Sequence, residues 1–230
     1  MFESILNNKT SSAEDKKTST IIGQLKYLPP DILWQIIRNS CSNNEGLPIN
    51  TMSLEDIQFW PHWDAGNTTN TNYVEPDVFL NFHEFDVIIE AKIEESIGQY
   101  RTQWENEIIA YENEVHNNNE VHNNKKLYFI SLGGNIDKNN ESLEINNKKI
   151  IIIYKCNWIA LLLETTNRLN ELNKLETNIP QKKSIIRILE DVIRGFNYIG
   201  LFNIKWFEKI ATYNIDTNIK GFEQWTTEKN

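Results

Sequence analysis

Two apolar runs with almost nothing between them constrain this chain more than any other feature. Asp77-Val78-Phe79-Leu80-Asn81-Phe82 and Phe85-Asp86-Val87-Ile88-Ile89-Glu90-Ala91-Lys92 each have the β-branched and aromatic content of a strand, and only His83 and Glu84 separate them. So short a connection implies an antiparallel hairpin. Its centre fixes the pairing: Phe82 faces Phe85, Asn81 faces Asp86 and Asp77 faces Glu90. His83-Glu84 is not a favoured type I′ or II′ turn. A four-residue loop from Phe82 to Phe85 keeps the same pairing, whereas a bulge would shift it by one and send Asp77 to the other face.

Directly opposed residues share a face of the sheet, and like charges placed so are destabilising. Alternation puts Asp86, Ile88, Glu90 and Lys92 on one face of the second strand, so Lys92 projects beside the carboxylate pair and is expected opposite Glu75. A lysine and a hard divalent cation would together balance the charge. Two carboxylates, backbone carbonyls and water are what Mg2+ usually takes from a protein, with substrate phosphate filling the rest. The chemistry indicated is phosphodiester hydrolysis.

Pro76-Asp77, twelve residues, then Glu90-Ala91-Lys92 resembles the PD-(D/E)XK motif of the restriction-endonuclease-like nuclease superfamily. The order of elements is similar as well: a helix, a three-stranded meander, a helix and a strand can be read over about residues 12–165. The resemblance implies an α/β fold with a restriction-endonuclease-like core. Its central mixed sheet would have four to five strands flanked by helices, and residues 166–230 would form a helical carboxy-terminal extension of the same domain. It implies metal ligation by Asp77, Glu90 and the Ala91 carbonyl, Mg2+ or Mn2+ as cofactor, and Lys92 as the catalytic lysine. Glu14 would be the acidic residue of the first core helix, with Asp15 as the fallback. Gln103, with Gln99 as competitor, would be the supporting glutamine on the following helix. The implied activity is that of a metal-dependent DNA endonuclease in defence against foreign DNA or in DNA repair. A catalytically silent interaction subunit, or an RNase or nickase of the same fold, are the alternatives.

Other segments fit this order. Ser12 is a helix N-cap ahead of Glu14 and Asp15, with Ile21, Ile22, Leu25 and Leu28 at helical spacing. Pro29-Pro30 ends that helix, and a second runs from Asp31 to about Ser40. A first strand is expected near Ile57–Trp60, with Trp60 and Trp63 read as core rather than as a base-stacking platform. Ile97, Tyr100, Trp104, Ile108, Tyr111 and Val115 recur at helical spacing. Leu127–Leu132 and Ile150–Tyr154 read as strands buried on both faces, Trp158–Leu169 and Ser184–Phe196 as helices, and Trp206, Phe207 and Trp225 as carboxy-terminal packing. The tandem duplication of Asn-Glu-Val-His-Asn-Asn over residues 113–124 reads as a surface loop extension.

At 230 residues with 40% hydrophobic content the chain can bury one good core. No apolar run of about 18 residues and no charged-then-apolar leader is present, so a cytoplasmic protein without a membrane segment is expected. Cys41 and Cys156 are too few for a zinc cluster or disulfide framework. The net charge of -9 opposes nucleic-acid binding. DNA affinity would require basic residues gathered on one side, as Lys182, Lys183, Arg187 and Arg194 could be on a late helix, or a partner protein that supplies the contacts. The late helices also offer a surface for a homodimer.

Overall fold

The computed structural model describes residues 2–9, 12–94, 98–117, 125–145, 149–176 and 181–202. Helices α1 (Phe2–Leu6), α2 (Ala13–Leu25) and α3 (Pro30–Ser40) lead into β1 (Leu54–Phe59), β2 (Trp63–Asp64), β3 (Tyr73–Val74), β4 (Val78–Phe82) and β5 (Phe85–Ala91). Then come α4 (Arg101–Asn117), β6 (Lys126–Leu132), β7 (Glu141–Ile145), β8 (Lys149–Cys156), α5 (Trp158–Lys174) and α6 (Lys182–Tyr198). The fold is α/β, with a mixed six-stranded sheet ordered β1-β4-β5-β6-β8-β7 and a two-stranded β2-β3 ribbon.

The hairpin register is the one its length dictates. Val78 pairs with Ile89, Phe79 with Ile88 and Asn81 with Asp86. β5, β6 and β8 are mutually parallel, while β1 and β7 close the edges antiparallel. A parallel step needs a crossover, and α4 supplies it between β5 and β6.

Alternation along the strands divides the interior in two. Val78, Leu80, Val87, Ile89, Tyr128, Ile130 and Tyr154 pack under α2, α3, α5 and α6. Phe79, Ile88, Phe129 and Ile153 pack under α4 through Trp104, Ile108 and Tyr111. Asp77, Glu90, Ser131 and Lys155 continue the second set towards the carboxyl ends of the parallel strands. The ladder joins Glu90 to Ser131 and Ser131 to Lys155.

Three expectations are corrected. The sheet has six strands rather than four to five, because Glu141–Ile145 adds an edge to β8. β8 is not buried on both faces throughout: Ile150 and Ile152 are exposed near that edge. Asn113 and Glu114, the start of the duplication, belong to α4 rather than a loop. There Asn113 donates to the carbonyls of Asp64 and Gly66, and the Glu114 carboxylate accepts the Asp64 N–H. Residues 118–124, and the carboxy-terminal aromatics Trp206, Phe207 and Trp225, lie outside the described residues. Among those described, no helix is long and apolar enough to cross a membrane.

Candidate active site

Four elements bring polar side chains to the carboxyl end of β5. Asp77 stands one residue before β4 and, by the hairpin register, beside Glu90 of β5. Both are buried, at 7% and 1% exposure. Asp77 Oδ1 accepts the Trp60 indole N–H at 3.0 Å and Oδ2 accepts the Ala91 main-chain N–H at 2.8 Å. Trp60 is therefore core, as its 5% exposure requires, and also a brace for Asp77.

Lys92 leaves the end of β5 on the same face as Glu90. Its ammonium donates to Glu90 Oε1 and lies 3.4 Å from Glu14 Oε1. Glu14 is delivered by the first turn of α2, where the Ser12 hydroxyl accepts the N–H groups of Glu14 and Asp15. Its second oxygen accepts the Ile93 N–H at 3.0 Å. The fallback residue, Asp15, is not among the carboxylates paired with Lys92; burial raises its carboxyl, against the nearby charge of Lys9.

Gln103, on the first turn of α4, donates to Glu90 Oε1 at 2.6 Å. Gln99 has a different task. Its amide donates to the carbonyls of Glu90 and Gly133, at 3.0 and 3.1 Å, and its oxygen accepts the Trp104 indole N–H at 2.7 Å. Gln103 touches the carboxylate, whereas Gln99 fixes the backbone beneath it.

Glu75 does not reach Lys92. Tyr73 and Val74 have paired with β2, so the chain is outside the main sheet at Glu75. Its carboxylate meets Lys9 instead, and His62 at 2.8 Å.

Lys92 is held from below as well. Its N–H donates to the Leu132 carbonyl at 2.8 Å, and its carbonyl accepts the Trp158 indole N–H at 2.7 Å. Gly133 and Gly134 pass close beneath it with φ of +69° and +66°, in the left-handed region that only glycine adopts freely. A Cβ on Gly133 would lie 2.5 Å from the Lys92 carbonyl oxygen, and one on Gly134 would lie 2.8 Å from the Lys92 Cβ. The pair follows the end of β6 and makes room for the lysine.

One further carboxylate at the site lies outside the motif. Glu107, one turn beyond Gln103 on α4, is 1% exposed and lies against Glu90. No hydrogen bond of good geometry reaches either of its oxygens or Glu90 Oε2, although the Glu90 carboxyl and the Gln103 amide lie close to Glu107. The consequence is a buried excess of negative charge. Burial raises Asp77 well above the usual carboxylate range, with Glu90 adding to the effect. Burial, reinforced by Glu107, does the same to Glu90. Burial likewise pushes Glu107 up to about 8, with Asp77 adding to it. For Lys92, burial alone would lower the pKa, but Glu90, Asp77 and Glu14 outweigh it and raise it.

Such a site fits a hard divalent cation. Carboxylate oxygens are the ligands that ion prefers, and two of the buried carboxyls have acceptor capacity that no protein donor uses.

Comparison with known proteins adds a relative of unknown activity. The chain is 27% identical over 216 residues to the uncharacterized protein PM0110 of Pasteurella multocida (strain Pm70), covering 90% of this chain and 78% of that one. No family model matches the chain, and no solved structure matches it.

Proposed function

We propose that the protein is a metal-dependent nuclease of restriction-endonuclease-like fold, hydrolysing DNA phosphodiester bonds with Mg2+ or Mn2+. The observation that carries this reading is the convergence of Asp77, Glu90, Lys92, Glu14 and Gln103 at the end of one parallel strand. The α/β architecture, with the hairpin at its centre, supports the fold assignment.

Asp77, Glu90 and the Ala91 carbonyl would hold the cation. When bound, the ion supplies a water of lowered pKa and polarisation of the scissile phosphate. The remaining work belongs to the chain. Lys92, with its pKa raised by the surrounding carboxylates, is an ammonium at neutral pH and serves as a donor rather than a base. It orients the attacking water and stabilises negative charge that develops on the phosphate oxygens. Glu14 gives the Lys92 ammonium a second carboxylate besides Glu90. Gln103 fixes the rotamer of Glu90, and Trp60 fixes that of Asp77.

Net acidity makes non-specific DNA affinity weak. Among the basic residues of α6, Arg194 pairs with Asp191 at 3.0 Å and Lys182 donates to the Leu175 carbonyl. A partner protein or a homodimer would then bring the phosphate backbone to the site, in defence against foreign DNA or in repair.

The test incubates pure protein with plasmid DNA, linear duplex, single-stranded DNA and RNA, each in Mg2+, Mn2+ and EDTA, beside Asp77→Ala and Lys92→Ala. Cleavage that requires metal and both side chains supports the reading. Activity that survives both substitutions overturns the site. Inactivity on every substrate, with no metal bound, favours the silent interaction subunit.

A further inference from the structure

We propose that Glu107 is a working carboxylate of the cation site, completing on the α4 side what Asp77 and Glu90 begin at the hairpin. This rests on the metal site of the nuclease reading and extends it beyond the motif residues.

The unused acceptor capacity of the site is unevenly distributed. Each oxygen of Asp77 already accepts one N–H, from Trp60 and from Ala91. Glu90 Oε1 takes both Lys92 and Gln103. Glu90 Oε2 and both oxygens of Glu107 take no hydrogen bond of good geometry, although all three are enclosed. An ionised carboxylate has about four acceptor positions, so the unpaired capacity lies between Glu90 and α4. A buried acceptor without a donor is costly, and a glutamate at 1% exposure is costlier still.

Local packing gives no reason for a glutamate here. Trp104, Ile108 and Tyr111, which flank Glu107 along the inward stripe of α4, pack in the apolar core. A leucine or methionine would fit the stripe without the cost of desolvation. A carboxylate aimed at Glu90 adds repulsion, and Lys92, the cation that donates to Glu90, already serves Glu90 and Glu14. A divalent oxygen-seeking ion between Glu90 and Glu107 supplies the missing charge and occupies the orphaned oxygens together. The substituent at position 107 then sets how tightly the ion is held, without itself touching substrate.

The experiment titrates Mn2+ into the full-length chain and follows heat and thermal midpoint, for wild type, Glu107→Gln, Glu107→Asp, Glu105→Gln and Asp77→Asn. Glu105 lies on the same helix, is half exposed and pairs with Arg101, so it controls for simple loss of charge. The expected result is that Glu107→Gln weakens Mn2+ about tenfold or more, since loss of a residue that merely supports a metal ligand already costs about that much. Its metal-free midpoint should be equal or higher. Glu107→Asp should fall between wild type and Glu107→Gln, which keeps the test informative if the glutamine variant folds poorly. Glu105→Gln should bind as wild type does. Unchanged affinity in Glu107→Gln, with loss in Asp77→Asn, overturns the role of Glu107 and leaves the motif site standing. Absence of Mn2+ binding by the wild type overturns both.

Discussion

The indole N–H of Trp158 donates to the main-chain carbonyl of Lys92 at 2.7 Å, tying the first residue of α5 to the residue that follows β5. Trp158 is fully buried, and the Lys17 ammonium lies 4.5 Å over its ring while donating to the Ile93 carbonyl. Trp158→Phe keeps most of the apolar contact but leaves the Lys92 carbonyl without that donor. The expected loss is about 1–3 kcal/mol of stability, measured by urea denaturation.

Gly133 offers a backbone test of the same region. Alanine there costs about 1–2 kcal/mol for the left-handed conformation alone, and its Cβ would meet the Lys92 carbonyl at 2.5 Å. Gly133→Ala should lower the thermal midpoint sharply. Gly200→Ala, also at positive φ but with nothing near its Cβ, should lower it less.

Metal-free stability should depend on pH through the buried carboxyls. Burial raises Glu107 from 4.5 to about 8. The folded state therefore holds its proton more tightly than the unfolded state does. That contribution is complete below the unfolded value and disappears as pH rises through the folded one. Asp77 and Glu90 are raised in the same direction and add to it. In EDTA the thermal midpoint should fall between about pH 5 and about pH 8. Glu107→Gln should flatten the fall, and saturating Mn2+ should reduce it.

Tyr111 separates stability from the site. Its hydroxyl donates to Asp86 Oδ2 at 2.7 Å, on a fully buried aspartate that lies on the same face of β5 as Glu90 but at the other end of the strand. Tyr111→Phe should cost about 1.5–3 kcal/mol, the value of a hydrogen bond to a charged group. Mn2+ affinity should be unchanged in calorimetry.

The hairpin was legible because two apolar strands joined by two residues leave little freedom in register, so Asp77 beside Glu90 followed from counting. Glu14 and Gln103 are the positions that the motif resemblance implies on the two flanking helices, and the structure brings both to Lys92 and Glu90. Glu75 departs from its expected place opposite Lys92 because the main ladder does not continue past Asp77: Tyr73 and Val74 pair with β2. β7 escaped because only Leu143 and Ile145 of its five residues are buried, too little alternation to mark an edge strand. Glu107 was missed because a glutamate among Glu105 and Asn106 resembles a solvated face. The signal was its phase: it sits three residues after Trp104 and four before Tyr111, on the stripe itself. Trp60 is core, as its aromatic character near a strand end implies, but the groups that the N–H donors of Trp60 and Trp158 reach depend on the tertiary arrangement.

Anomalous scattering from crystals grown with Mn2+ shows whether these carboxylates hold a divalent cation as proposed. The expected result is a manganese peak within bonding distance of Asp77 and Glu90, lost in Asp77→Asn. Ordered crystals that show no peak there, or manganese bound only elsewhere on the chain, would contradict it.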